Sequence, residues 1–244
     1  MKICLAQIQS YKGEIDKNIT KHIKYIKQAI DLDCDLIVFP ELSITNYEPT
    51  IAKDFSTNSD DKIFIPFQNL ANEGNITICI GMPTVSEKGI LISMLIFQPN
   101  TAKKVYSKNI LHEDELPFFT NADCHPILEC NNKKIGLGIC YETLQRSHIK
   151  KVANLNAEIF IASVSKPERG IDKGFIHFPI IAKEFKLPIL MVNSIGKSDD
   201  FIANGQSAIW NKKGKLLTQL NANNEGLLVF NVTNENIIKK HLTT

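Results

Sequence analysis

The sequence contains little arginine, and its positive and negative side chains nearly balance. Only two of the 244 residues are arginines, Arg146 and Arg169, and 28 basic residues face 26 acidic ones, giving a net charge of +2. Proteins that bind nucleic acid usually carry a strong basic patch, and arginine is the side chain best suited to hold phosphate through two hydrogen bonds. We therefore expect no nucleic-acid partner.

Closely spaced cysteine pairs are also missing. The six cysteines lie far apart in the sequence, at Cys4, Cys34, Cys79, Cys124, Cys130 and Cys140. Disulfide scaffolds are shorter and denser in cysteine, and zinc sites usually pair their ligands at short spacing. We expect reduced cysteines and no metal site, which leaves the question of whether one cysteine differs from the other five.

Long hydrophobic runs are absent. The longest, residues 90–97, is eight residues with Ser93 inside it, whereas a membrane-spanning helix needs about 20. The apolar N-terminal stretch, residues 3–8, is interrupted by Gln7 and is too short for a signal peptide. These features predict a cytoplasmic protein with no membrane partner.

What the sequence does contain is an alternation of short apolar strands and amphipathic helices. Isoleucines at positions 15, 19, 23, 26 and 30 recur in steps of three and four, the spacing of a helix with one apolar face. Helices are predicted at 15–30, 66–73, 148–155 and 175–186, and strands at 3–8, 35–39, 76–80, 90–97, 104–107, 134–140, 159–162, 189–193, 208–210, 215–217 and 227–232. Pro179 predicts a kink or a late start for the last helix.

The predicted strands and helices alternate in two similar halves of the chain, an order that is typical of a layered α/β domain. The sequence has no linker-like composition break, internal repeat or low-complexity tract. We therefore predict a single domain over residues 1–244, with a core that ends near residue 232 and a short polar C-terminal tail.

Three reactive side chains follow predicted strands at the point where each strand ends. They are Glu41, Lys108 and Cys140. Ligands of open α/β sheets bind at the carboxyl ends of strands, so these groups are candidates for one site. Taken singly, each has an ordinary explanation: a capping or surface glutamate, a surface lysine and a buried structural cysteine.

Cys140 has a distinctive local sequence. It ends a strand that carries Gly136 and Gly138, and a sharp turn from strand to helix at this point would hold the thiol forward, as in a nucleophile elbow. A thiol nucleophile needs a nearby base, for which a partly buried Glu41 is suited, and an ammonium such as that of Lys108 would stabilise an oxyanion.

Taken together, these segments resemble the nitrilase, or carbon–nitrogen hydrolase, superfamily. The resemblance covers essentially the whole chain and depends most on Phe39-Pro40-Glu41-Leu42, Tyr106-Ser107-Lys108 and Gly138-Ile139-Cys140-Tyr141-Glu142. It implies a four-layer α-β-β-α sandwich, extended to eight layers by homodimerisation. It also implies hydrolysis of a non-peptide C–N bond in a small linear amide, without a metal or organic cofactor.

The resemblance also implies roles for individual residues. Cys140 would be the nucleophile and Glu41 the base, while Lys108 and the backbone N–H of Tyr141 would hold the oxyanion. A second glutamate that positions Lys108 would be Glu115, with Glu113 as a rival. The alternative is that residues 112–115 are a solvated acidic run.

Candidate substrate-binding residues follow from the same resemblance. They are Tyr47, Phe119, Tyr141, Glu142, Ser165 and Lys166. Lys166 would either meet an acidic group of the substrate or be a surface lysine.

Two departures from the family pattern make substrate transfer from well-known amidases doubtful, one at residues 143–148 and one at residues 165–167. The alternatives to an amidase are an N-carbamoyl-amine or N-carbamoyl-amino-acid hydrolase and a nitrilase. A catalytically silent binding or thiol-sensing protein on the same fold is a further alternative.

Overall fold

The computed structural model describes residues 1–241, whose strands form two large sheets and a small ribbon. In chain order the strands are β1 (Lys2–Gln7), β2 (Leu36–Val38), β3 (Thr77–Ser86), β4 (Gly89–Phe97), β5 (Lys104–Ser107), β6 (Ile127–Cys130), β7 (Lys133–Ile139), β8 (Ile159–Val164), β9 (Ile189–Asn193), β10 (Ile195–Ser198), β11 (Phe201–Asn204), β12 (Ala208–Trp210), β13 (Leu216–Gln219), β14 (Gly226–Asn231) and β15 (Ile237–His241). The first sheet has the order β15-β14-β1-β2-β3-β4-β5 and the second β13-β12-β9-β8-β7-β6, while β10 and β11 form the ribbon.

The helices pack on the sheets through apolar faces. They are α1 (Ile15–Asp31), α2 (Ala52–Phe55), α3 (Ile65–Gly74), α4 (Arg146–Asn154) and α5 (Glu168–Phe185). In α1 the isoleucine spacing places Ile19 and Ile26 on a buried face together with Tyr25 and Ala29, as the sequence predicts. None of the helices within residues 1–241 is long and apolar enough to cross a membrane.

Three apolar clusters define four layers. The side chains of Leu5 and Val38 in the first sheet share a cluster with Leu137 and Ile161 in the second, so the two sheets pack face to face. The outer face of the first sheet packs against α1 and α3, and the outer face of the second packs against α4 and α5. Successive strand residues point to opposite faces, which is why nearly continuous apolar strands serve both layers. The predicted α-β-β-α sandwich is confirmed.

The structure differs from the sequence prediction at several elements, and α2, β10 and β11 are not among the predicted ones. Strand β3 runs to Ser86 instead of ending near residue 80, and it pairs with β4 as a long hairpin. Residues 237–241, predicted as part of a polar tail, form β15 and pair with β14 along the edge of the first sheet. The error at β15 arises because exposed polar positions weaken the hydrophobic pattern of an edge strand. The missed end of β3 is mostly buried, but Gly81 and Pro83 interrupt its strand pattern.

Helix α5 begins earlier than predicted. It starts at Glu168 instead of residue 175 and continues through Pro179 to Phe185. Its buried stripe includes Ile171, Gly174 and Phe178 and resumes after the proline at Ile181, so packing against the second sheet outweighs the local helix-breaking tendency of Pro179.

Gly136 creates the close contact between β7 and α4. A Cβ at this position would lie 2.1 Å from Cγ1 of Val152. We predict that Gly136→Ala destabilises the fold by about 1–3 kcal/mol, because the extra methyl group has no room. The double variant Gly136→Ala/Val152→Ala should be more stable than the sum of the two single effects, as measured by urea denaturation. Strictly additive effects would show that the contact does not cause the loss.

Candidate active site

Cys140 lies at the junction of β7 with a 3₁₀ turn, Cys140–Leu144, and has a φ of 47°. This left-handed conformation is rare for a residue with a side chain and persists only where the surroundings impose it. The hydroxyl of Thr143 donates to the Cys140 carbonyl at 2.6 Å and fixes the turn. The sharp strand-to-helix turn expected from the sequence is therefore present.

A buried ammonium joins two carboxylates in the same region. The Nζ of Lys108 lies 2.8 Å from Oε1 of Glu41 and 2.6 Å from Oε1 of Glu115, and all three side chains are almost completely buried. The hydroxyl of Tyr47 donates to the same Glu115 oxygen at 3.1 Å. Because buried charges are costly unless they are paired, these contacts fix the geometry of the group.

The strands bring these residues together by ending at one edge of the sandwich. Glu41 follows the end of β2, and Lys108 follows the end of β5 directly. Gly81 in β3 permits the turn that carries Glu41 to come close, since a Cβ there would lie only 2.3 Å from the backbone nitrogen of Leu42. The strand-end argument from the sequence therefore located these side chains correctly.

Glu115, and not Glu113, occupies the position beside Lys108. The Glu113 side chain is exposed, whereas Oε2 of Glu115 accepts a hydrogen bond from the backbone of His112 at 2.8 Å. A short 3₁₀ helix, Glu113–Glu115, turns Glu115 inward and leaves its neighbours in solvent. The alternative of a wholly solvated acidic run is wrong for Glu115.

Burial sets the protonation of the candidate base and nucleophile. Burial raises the pKa of Glu41 above its ordinary value, although the Lys108 ammonium opposes the shift. Burial also raises the pKa of the Cys140 thiol to about 11, and the neighbouring Glu41 carboxylate adds to this rise. At neutral pH the thiol is therefore protonated and requires a base. Glu41 has a suitable free atom, because its Oε2 is buried without a hydrogen-bond partner among the described residues.

The pKa of Lys108 moves in the opposite direction. Burial alone would lower it, but the carboxylates of Glu41 and Glu115 outweigh that effect and hold the pKa above its usual value. Lys108 is thus a permanent positive charge in the site.

The Glu142 carboxylate is hydrogen-bonded within the protein, so the expectation that it contacts substrate is wrong. Its two carboxylate oxygens accept hydrogen bonds from the Tyr106 hydroxyl and from the backbone N–H groups of Ile139, Asn109 and Ile110. With four donors on one buried carboxylate, no lone pair is left for a ligand. Glu142 instead ties the end of β7 to the loop that follows Lys108, and local sequence gave no signal of these partners.

Phe119, Tyr141 and Ser165, which are also predicted from the sequence to contact substrate, have different surroundings. Phe119 is buried in the apolar cluster between the sheets, and Tyr141 is half-buried with the ring of His112 edge-on at 4.9 Å. The Ser165 carbonyl lies 3.8 Å from Sγ of Cys140, while the Ser165 hydroxyl pairs with that of Ser194.

Lys166, which follows Ser165, is buried, so the expectation of a surface lysine is wrong. Among residues 1–241, no three histidine, cysteine or acidic side chains converge in a way that would hold a metal ion.

Comparison with known proteins identifies the family. The family model described as carbon–nitrogen hydrolase matches residues 2–240. The chain belongs to the carbon–nitrogen hydrolase family. It is therefore an enzyme of the class that cleaves C–N bonds, and the superfamily expected from the motifs is confirmed.

Sequence relatives of this carbon–nitrogen hydrolase include proteins of different size. A glutamine-dependent NAD(+) synthetase of Acinetobacter baylyi is 27% identical over 89% of this chain, which covers 41% of the relative. A probable nitrilase of Schizosaccharomyces pombe is 24% identical over 94% of this chain and 88% of that protein. The chain thus spans about two fifths of the NAD(+) synthetases it matches.

Solved structures agree on the fold. The NitN amidase of Nesterenkonia sp. AN1 superimposes with a TM-score of 0.87 over 96% of this chain and 93% of that one, at 19% identity. A cysteine-to-alanine mutant of the Nesterenkonia amidase, solved in complex with butyramide, superimposes with a TM-score of 0.85 over 94% of this chain and 89% of that one.

The central ion pairs make a stability prediction possible. Replacing Lys108 by methionine leaves Glu41 and Glu115 buried without a counter-ion, and we expect a loss of about 3–5 kcal/mol at neutral pH. Burial already raises the pKa of Glu41, and without the Lys108 ammonium this pKa rises further, so the loss should shrink as the pH falls and the native state takes up protons. Denaturant melts at a series of pH values measure both effects.

Lys104→Met is the matched control for this variant. Lys104 is exposed at the start of β5, the strand that Lys108 follows, and its replacement should change stability by no more than about 0.5 kcal/mol. A Lys108→Met loss that is small, or that does not depend on pH, would contradict the view that the two carboxylates depend on this ammonium.

Proposed function

We propose that this carbon–nitrogen hydrolase cleaves a small linear amide through a thioester on Cys140. The observation that carries the proposal is the buried Glu41–Lys108–Glu115 group beside a cysteine held in a left-handed turn. A base with a free oxygen, a fixed cation and a thiol held at a strand-to-helix turn are the parts that nucleophilic acyl transfer requires.

The first half of the reaction forms the thioester. Glu41 takes the proton from Sγ of Cys140, and the thiolate attacks the amide carbon. The resulting oxyanion accepts hydrogen bonds from Lys108 Nζ and from the Tyr141 N–H, which lies at the start of a 3₁₀ turn where N–H groups have no partner within the turn. When the C–N bond breaks, Glu41 returns the proton to the leaving nitrogen, and ammonia departs.

The second half releases the acid. Glu41 takes a proton from a water molecule, the hydroxide attacks the thioester carbonyl, and the same donors hold the second oxyanion. The C–S bond then breaks, and the proton on Glu41 returns to the sulfur. Glu115 and Tyr47 keep Lys108 oriented through both halves. The steps use only these groups and water.

One sequence relative is a probable nitrilase, but more of the relatives favour an amide. The Nesterenkonia protein is an amidase that binds butyramide as a cysteine mutant, and several sequence relatives are glutamine-dependent synthetases. Glutamine is itself a linear amide. The carbamoyl and nitrile alternatives use the same residues with a different pocket. A silent binding or thiol-sensing protein would be free to lose any of Glu41, Lys108 and Cys140, and this chain has them all.

Two further expectations stay proposals, one from the family resemblance and one from the lack of long hydrophobic runs. We propose that two copies pair to extend the sandwich to eight layers, and the strongly exposed Ile176 and Ile180 on α5 offer an apolar contact surface for this. The cytoplasmic location also stays a prediction.

The nucleophile is tested by exchanging one cysteine. Cys140→Ala should abolish ammonia release from every amide that the wild type hydrolyses, because no thioester can form. Cys124→Ala is the control, since Cys124 is also incompletely buried and its backbone, not its thiol, makes the local hydrogen bond. Ammonia release by the Cys140→Ala protein, measured in a coupled assay over amides, carbamoyl compounds and nitriles, would rule out the mechanism.

The second glutamate is tested by a pair of neighbouring variants. Glu115→Gln should lower kcat by about 100-fold or more, because Lys108 loses one of its two fixed anions and the oxyanion donor is no longer held. Glu113→Gln should retain the wild-type kcat, since Glu113 is exposed. Equal effects of the two changes would refute the assignment of Glu115.

A further inference from the structure

Lys166 is a buried lysine without an anionic partner. The residue is only 6% exposed, and no carboxylate of residues 1–241 lies within ion-pair distance of its Nζ. Its backbone is locked in place: Asn193 accepts from its N–H at 2.8 Å, and Asn193 and Asn204 donate to its carbonyl. A lysine buried to this extent usually has a counter-ion, and its Nζ, which is not among the fully enclosed side-chain atoms, is open to one that arrives from solution.

The aliphatic part of the Lys166 side chain packs closely against Gly170. A Cβ at Gly170 would lie 3.1, 3.4 and 3.5 Å from Cβ, Cγ and Cδ of the lysine. The apolar part of the side chain therefore packs on the first turn of α5, where any larger residue at position 170 would displace it. The ammonium beyond this contact is the only part of the side chain left to interact with a ligand.

The ammonium belongs to the surroundings of Cys140. Lys166 directly follows Ser165, whose carbonyl contacts the Cys140 sulfur, and its charge opposes the rise that burial causes in the pKa of that thiol. Burial lowers the pKa of His177, and Lys166 lowers it further. The Cys140 thiol is thus neutral at pH 7, and a histidine carries no negative charge in either protonation state, so neither neighbour supplies an anion.

The start of α5 adds to the positive potential. The helix begins at Glu168, two residues after Lys166, and the partial positive charge of its N-terminus disfavours a lysine beside it. The carboxylate of Glu168 in the same turn is exposed and makes no ion pair with Lys166. The carboxylates of Glu41 and Glu115 are already in contact with Lys108. An anion that enters the site with the substrate would satisfy Lys166 and the helix terminus together.

We propose that Lys166 is an anion-binding subsite of the active site and selects amides that also carry a carboxylate, such as the monoamide of a dicarboxylic acid. The proposal deepens the amide hydrolysis proposed above and rests on it for the reaction. The amide end reacts at Cys140, and the carboxylate end pairs with the Lys166 ammonium.

The test compares an acid with its uncharged analogue of the same length. Wild-type kcat/KM should be about 10- to 100-fold higher for glutaramate, the monoamide, than for glutaramide, the diamide, which is the range expected for a hydrogen bond between charged groups. Lys166→Met keeps the length of the side chain and removes the charge, so it should abolish this preference. Lys197→Met is the control, because Lys197 is an exposed lysine on the nearby ribbon, and it should keep the preference.

Three outcomes would overturn the proposal. One is equal kcat/KM values of the wild type for the two compounds, a result that does not depend on the folding of any variant. Another is a Lys166→Met enzyme that still prefers glutaramate. The third is a Lys166→Met enzyme that loses the same factor on both compounds with a shifted pH profile, which would mean that Lys166 acts on the thiol alone.

A binding measurement separates this proposal from the proposed reaction. In the Cys140→Ala protein, calorimetry should give a Kd for glutaramate about 10- to 100-fold below that for glutaramide, and the added Lys166→Met change should remove the difference. If the wild type hydrolyses no amide, the proposed function is wrong, but the two Kd values still show whether Lys166 binds the carboxylate. Equal Kd values refute the subsite even if amides are hydrolysed.

Discussion

The site depends on one ammonium shared by two carboxylates. Lys108 lies in hydrogen-bond contact with Glu41 and Glu115 at a depth where none of the three charges is stable alone. Each of these residues follows or precedes an element of the first sheet, whereas Cys140 ends a strand of the second. The ion pairs therefore do more than hold a lysine: they fix the base at the edge where the other sheet presents its thiol.

A third buried carboxylate, that of Glu142, links the two sheets at this edge. Glu142 accepts hydrogen bonds from Ile139, which precedes the cysteine, and from Asn109 and Ile110, which follow the lysine. The nucleophile and the cation are thereby linked through one side chain that does not touch substrate. The side chains of the site are held in fixed positions because they stand at the ends of rigid strands and their polar atoms are hydrogen-bonded.

Sequence reasoning located the parts of the site that stand at strand ends. Glu41, Lys108 and Cys140 follow apolar runs whose order and length are readable, and parallel strands bring their ends to one edge. The four-layer sandwich follows from the same alternation of strands and helices. The predictions that were wrong concern residues whose surroundings come from distant parts of the fold. The burial of Lys166 depends on the space left by Gly170, and the structural role of Glu142 depends on hydrogen-bond donors more than 30 residues away. The edge strand β15 was missed because most of its side chains are exposed, so no apolar alternation marks it.

The raised pKa of the Cys140 thiol has a consequence for the durability of the enzyme. Peroxides and disulfides react with thiolates far faster than with thiols, and a cysteine that is protonated at neutral pH is therefore a poor target for them. Most reactive cysteines are nucleophilic because they are ionised at neutral pH, and for the same reason they are easily oxidised. Here the thiolate would exist only while Glu41 holds its proton, so the same burial that makes the base necessary also protects the nucleophile between turnovers.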